Sequence, residues 1–289
     1  RLNSTTYVQA APCFIYKNCP SGRFACTFAA KPKVMKGIRI CILLFSVVLF
    51  SQGLWATGIR SGQEVIIDKP VEKNLHIAAG KIRVEAPMQG DLLCAAGEIR
   101  INESVRKDIV AIGGDIHLAK APGEDVRLVG GKIEVTDNVP GDLVVTGGEV
   151  VISEAVTIGG DLIIAGGKVE MYGVVKGDAE IAAGELVLYG VIEGGLNARG
   201  GKIEMGGQVA GPSTLSAENM QITRDARFGS DVRYWFETGS VDFEQALSGG
   251  ATAVRDEALK LQFTEWQRKS RLFQKRLTPA FMLYRLASG

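Results

Sequence analysis

One short repeat constrains this chain more than any other feature. A small residue, a glycine, a charged residue, an aliphatic, any residue and a second aliphatic recur in that order. The motif glycines are Gly80, Gly97, Gly114, Gly131, Gly148, Gly167, Gly184 and Gly201. They fall seventeen positions apart, except for one step of nineteen between Gly148 and Gly167. A second mark, usually Gly-Asp, lies six positions before the glycine, at Asp91, Asp108, Asp125, Asp142, Asp161 and Asp178. Eight copies in constant register call for a repeat architecture before any other reading.

Within each copy the aliphatics alternate. Leu162 and Ile164 share one parity before a glycine corner, and Val169 and Met171 share one after it. Period two means strands rather than helices. A third apolar position follows at Val105, Val139, Val175, Ile192 and Val209. Three short strands per repeat describe one coil of a parallel β-helix. The fold expected is therefore all-β: a single parallel β-helix of eight to nine coils over 57–229, about 40 Å long at about 4.8 Å per coil. Leucine-rich repeats would need Leu and Asn at fixed places, and helical repeats would need long runs without Gly.

Stacked coils turn the inward positions into aliphatic columns such as Ile82, Ile99, Ile116, Ile133, Val150, Val169, Leu186 and Ile203. Each coil then buries its neighbour's face. The residue after each motif glycine points outward and reads Lys81, Glu98, Asp115, Lys132, Glu149, Lys168, Glu185, Lys202, so that six of seven adjacent pairs have opposite sign. Such pairs favour the register by about 0.2–1 kcal/mol each. The corner glycines are expected to take positive φ. The two extra residues near 157–159 are expected to form a bulge or longer corner. Residues 62–68 read as an N-terminal cap strand and 217–227 as a decayed ninth coil.

Composition separates the rest of the chain. Residues 1–56 hold seven basic residues and no acid, 57–229 hold 17 basic and 25 acidic residues (net −8), and 251–289 hold eight basic and three acidic (net +5). Residues 1–34 lack periodicity and read as a non-structural upstream segment. Residues 35–56 read as a signal peptide: Met35, the basic Lys36 and Arg39, an apolar run of eleven residues over 40–50 broken only by Ser46, and a small residue at Ala56. As a helix the apolar run spans about 16 Å, short of a bilayer core of about 30 Å, which disfavours an uncleaved anchor. Beyond it the only cysteine is Cys94, so no internal disulfide is expected in the exported chain.

After Phe228 the repeat is expected to stop. Residues 230–250 read as a cap and linker, and 251–289 as an amphipathic basic helix running into the start of a membrane segment. Leu259, Phe263, Trp266, Phe273 and Leu277 share one helical face. Arg268, Lys269, Arg271, Lys275 and Arg276 supply a basic, membrane-proximal end. Near anionic lipid each is worth about 1 kcal/mol.

Few residues suggest chemistry. The two histidines, His76 and His117, fall on outward columns of different coils and cannot supply a three-histidine metal site. Cys94 stands in an inward column with Ile77, Ala111, Leu128 and Val145, as a small apolar residue would. The Asp column fits recurring turn chemistry, in which the carboxylate accepts backbone hydrogen bonds. No catalytic, metal or cofactor site is expected, and the balanced overall charge gives no reason to expect nucleic acid. Tyr172 and Tyr189 form the one adjacent aromatic pair in an outward column, a candidate sugar-stacking patch for a cell-wall glycan.

The runs Gly160-Asp161-Leu162-Ile163-Ile164-Ala165-Gly166-Gly167-Lys168-Val169 and Val174-Val175-Lys176-Gly177-Asp178 resemble bactofilins, the bacterial polymer-forming cytoskeletal proteins. The resemblance spans about residues 74–211. It implies a right-handed β-helix that assembles end to end into nucleotide-free filaments, often at membranes. Bactofilins are typically cytoplasmic, and the export signal shifts the expectation to the cell envelope. The function expected is thus a non-enzymatic, exported scaffold that binds itself through its coil ends and a membrane through its C-terminal region. The alternatives are a glycan-binding or glycan-modifying β-helix and an adhesin-type rod that does not polymerise.

Overall fold

A computed structural model describes residues 58–268 except 121 and 242. They lie within one compact unit, Leu54–Gly289. The segments 1–34 and 35–56, and the basic residues Lys269, Arg271, Lys275 and Arg276, lie outside the described residues.

The described chain is a β-solenoid. Twelve strands, from Gly58–Ile67 to Ala253–Arg255, hydrogen-bond in parallel and nearly in chain order, giving about eleven turns. The last described element is a helix over 258–268. Eleven steps at about 4.8 Å make the solenoid about 53 Å long. The count of eight to nine coils is corrected upward at both ends. Gly58–Ile67 is a full strand in register with Leu75–Val84. Val232–Ser240 is another, in register with Ser213–Ile222, where a linker was expected. Its turn escaped the search for a constant period because the interval there lengthens. Ser213 and Val232 are nineteen positions apart, and Val232 and Ala253 twenty-one.

Each long strand bends once. In Leu143–Ile152 the first and third residues are buried and then the eighth and tenth, so inward parity switches midway. A flat strand cannot do this. The switch lies at the motif glycine, where the residue-by-residue pairing is interrupted on every strand from Gly80 to Gly201. The third apolar column closes the turn through short pairings, as at Val105 with Met88 and Val139 with Ile158. Ile82, Ile133, Val150, Val169, Leu186 and Ile203 are all fully buried. At about 1.5–3 kcal/mol per buried aliphatic side chain, this core is the main stabilising term.

The corner glycines have an unexpected cause. Positive φ occurs at Gly239, Gly249 and Gly250, and at no motif glycine. Instead, a Cβ at the corner would strike the carbonyl oxygen of the equivalent residue one turn earlier, at 2.8 Å for Gly148 and 2.7 Å for Gly167. The requirement is close approach of two backbones, not a left-handed conformation.

The extra residues of the longer step between Gly148 and Gly167 sit upstream of 157. Glu154 and Ala155 form a tight turn closed by the Val156 amide on the Ser153 carbonyl at 3.1 Å, and Val156 is fully buried. The same device recurs where the Ala226 amide meets the Thr223 carbonyl at 3.3 Å.

Candidate functional site

The aspartate column is a set of clasps between turns. The Oδ1 of Asp125 accepts the Asp142 amide at 3.0 Å, that of Asp142 the Asp161 amide at 2.8 Å, and that of Asp161 the Asp178 amide at 2.8 Å. In return, the amide of the residue after each Asp from Asp91 to Asp161 donates to the next turn's Asp carbonyl, as from Leu143 to Asp161 at 2.9 Å. The carboxylates therefore accept backbone hydrogen bonds as expected, but from the following turn rather than from their own corner.

Where the column gives way to Gly195 and Pro212, an open groove of about 480 Å³ forms, with Asp161, Ile163, Asp178, Glu180, Asn197 and Thr214 in its walls. Its acidic walls are partly committed, because Asp161 and Asp178 hold the amides of Asp178 and Gly195. A second groove of about 460 Å³ lies on the charged arm among Glu98, Arg100, Asp115, His117, Lys132 and Glu134. His117 Nδ1 stands 3.3 Å from Glu134. Among the described residues no group of three metal-ligating side chains converges.

The outward charge column pairs only in part across turns. Lys81 meets Glu98, and Lys202 meets Glu185, each at 2.9 Å. Lys168 instead turns to Glu170 on its own strand at 2.6 Å. Arg100, and then Lys81, hold the Glu98 carboxyl below its ordinary range. Cys94 is buried as expected, and burial pushes its thiol up to about 12.

Tyr172 and Tyr189 do come together, with ring centroids 6.4 Å apart and planes 21° from parallel. Their hydroxyls donate to Glu170 at 3.1 Å and Glu204 at 2.6 Å. Tyr189 also lies over Gly206, where an added Cβ would come within 2.3 Å of its ring. Tyr172 lies on one side of the Tyr189 ring, which remains 39% exposed.

At the C-terminal end the column composition changes. The small-residue position of the repeat, Ala183, Gly200 and Ala217 on successive turns, is taken by Phe236. Tyr234 takes the position of Leu215. Phe243 packs on both Tyr234 (4.7 Å) and Phe228 (6.0 Å), so rings fill the mouth of the aliphatic core. Arg255 caps the Phe236 carbonyl at 3.0 Å and lies over its ring. Outside this plug, Leu259 and Phe263 of the 258–268 helix bury Trp235, and Gln267 reaches Glu218 two strands back. Of the basic cluster, Arg268 is described and exposed. Among the described residues no helix is long and apolar enough to cross a membrane.

Sequence reasoning missed the outward columns on the first arm of each strand. Leu93, Ile112, Val129 and Ile163 are 41–52% exposed there. The signal was available, since these positions fall on the outward parity of the repeat and are still aliphatic.

Comparisons with protein-family models, with curated proteins and with solved structures gave no match to this chain.

Proposed function

We propose that this chain is a non-enzymatic structural rod, a bactofilin-like scaffold exported to the cell envelope and held near a membrane by its C-terminal region. The observation that carries the reading is the constancy of the turns. Ten of the eleven steps between long strands are seventeen or nineteen positions, and the last is twenty-one. Steps this even leave no room for a loop long enough to wall a cleft, and the same aliphatic columns run through them. A solenoid of this kind presents long, regular faces and open strand edges. Right-handed winding belongs to the same reading, being the hand of nearly all parallel crossover connections.

Self-association through the ends is part of the proposal. The outer edge of Gly58–Ile67 has no strand partner among the described residues. The opposite end carries the aromatic plug, so a head-to-tail filament requires that plug to open. With the plug in place, two first strands pair two copies. Negative-stain electron microscopy of the full chain tests this, with filaments or rods of doubled length expected. Monodisperse rods of about 53 Å at high concentration would overturn it. Export is tested by fusing 35–57 to a reporter active only outside the cytoplasm, where a dark reporter removes the claim.

A further inference from the structure

Over five successive turns, from Leu92–Ile101 to Leu162–Met171, the first arm carries an outward face with a single charge, and beyond them the same columns hold Glu180 and Arg199. One column reads Leu93, Val110, Arg127, Val144, Ile163, and the column beside it reads Ala95, Ile112, Val129, Thr146, Ala165. Ile112 and Val129, adjacent at its centre, are 52% and 48% exposed. The single charge, Arg127, is drawn to the rim, 3.0 Å from Asp125 and 3.7 Å from Asp108. The other arm of the same strands is charged through most of its outward columns, as at Glu98, Arg100, Asp115, Lys132 and Glu134, with Val151 an exception. Scattered exposed aliphatics are ordinary, but a contiguous uncharged face marks a contact surface.

We propose that this face, centred on Ile112 and Val129, is a lateral docking surface for a second copy of the same chain. Five turns at about 4.8 Å by five residues at about 3.3 Å give a footprint of about 400 Å², hence about 800–1,000 Å² over two copies. That is the lower end for a specific contact and calls for weak, concentration-dependent pairing. A partner ribbed at the same spacing meshes along the whole face, and a second copy has that spacing by construction. The rim argues against the other broad surfaces. The column from Asp91 to Asp161 borders the face and repels anionic lipid and nucleic acid. It also orients the pair. A two-fold axis along the rod sets each Asp rim beside the partner's glycine corner, whereas an axis along the strands would set Asp against Asp. The molecule already packs apolar groups on this side: Trp235, which continues the column of Ala95 and Ile112 at the far end, is covered by Leu259 and Phe263.

The contact is independent of the end-to-end reading and is tested separately. Sedimentation equilibrium of the full chain is compared with Ile112→Lys/Val129→Lys and with a second variant, Leu93→Lys/Ile163→Lys. All four side chains point outward, and unchanged far-ultraviolet dichroism and melting confirm folding. The expected result is self-association at least tenfold weaker in both variants. Electron microscopy of the wild type is expected to show rods of doubled width, whether or not they are also lengthened end to end. Equal association in wild type and variants would overturn the proposal. So would a wild type that stays monomeric at several hundred micromolar, whatever then covers the face, residues 269–289 of the same chain included.

Discussion

Replacing a corner glycine by alanine separates two explanations of the repeat. At Gly148 the backbone is not in the left-handed region, so alanine meets no conformational penalty there. Its methyl carbon, however, would lie 2.8 Å from the Gly131 carbonyl oxygen and 3.7 Å from the carbonyl carbon. Both atoms are backbone and held by the ladder between turns, so the turns must part by about half an ångström to reach ordinary contact. Overpacking of this kind costs about 1–3 kcal/mol, while the reduced freedom of the unfolded chain returns about 0.4–1 kcal/mol. The net expectation for Gly148→Ala is a loss of about 1–2 kcal/mol, or roughly 2–8 °C in melting temperature for a domain of this size. Gly97 provides the internal scale, because its contact is looser, at 3.1 Å from Gly80. Gly97→Ala should cost clearly less. Urea unfolding of the full chain followed by circular dichroism reads both. A stabilised Gly148→Ala, or a Gly97→Ala that loses more, would refute the close-approach argument.

Three further outcomes are expected. Asp142→Ala leaves the Asp161 amide without its 2.8 Å acceptor and should cost about 1–2 kcal/mol in urea unfolding, whereas Asp142→Asn keeps an acceptor, as Asn74 does for Asp91 at 3.1 Å, and should stay within about 0.5 kcal/mol of wild type. Cys94, with its thiol pushed up to about 12 by burial, should resist iodoacetamide at pH 8 until the solenoid unfolds, as read by peptide mass spectrometry, and rapid native labelling would contradict its inward placement. Tyr189 is raised to about 12, first by its hydrogen bond to Glu204 and then by burial. Since the folded value lies above the unfolded value of about 10, its contribution is complete below pH 10 and is lost as pH rises toward 12. Melting curves across that window should be less pH-dependent in Tyr189→Phe.

The inward architecture was legible in the sequence because it is periodic. Ile82, Ile133 and Val150 announce their burial by parity, and the third column from Val105 to Val209 closes each turn as expected. What escaped lay in contacts between residues one turn apart. The glycine requirement is set by a carbonyl of the preceding turn, which no local φ argument contains. The Asp carboxylate reaches the next turn's amide, although the sequence suggested a local turn. Lys168 had opposite charges on both neighbouring strands and a third on its own, and only side-chain geometry shows that Glu170 takes it. The last turns were hidden because aromatics replace aliphatics and the spacing lengthens, both of which erase the pattern used to find them. For the candidate surfaces, the tyrosine pairing was visible in sequence, but the close approach of the Tyr189 ring to Gly206 one turn beyond was not.

The ring-filled final turn also says where the length of the molecule is decided. Phe236 fills a slot otherwise held by glycine or alanine, and above that layer the ladder continues only as the three-residue strand Ala253–Arg255. Duplicating or deleting one internal repeat unit would change the height of the stack and leave its terminus intact. Losing Phe236 and Tyr234 would instead leave a stack that no longer knows where to end.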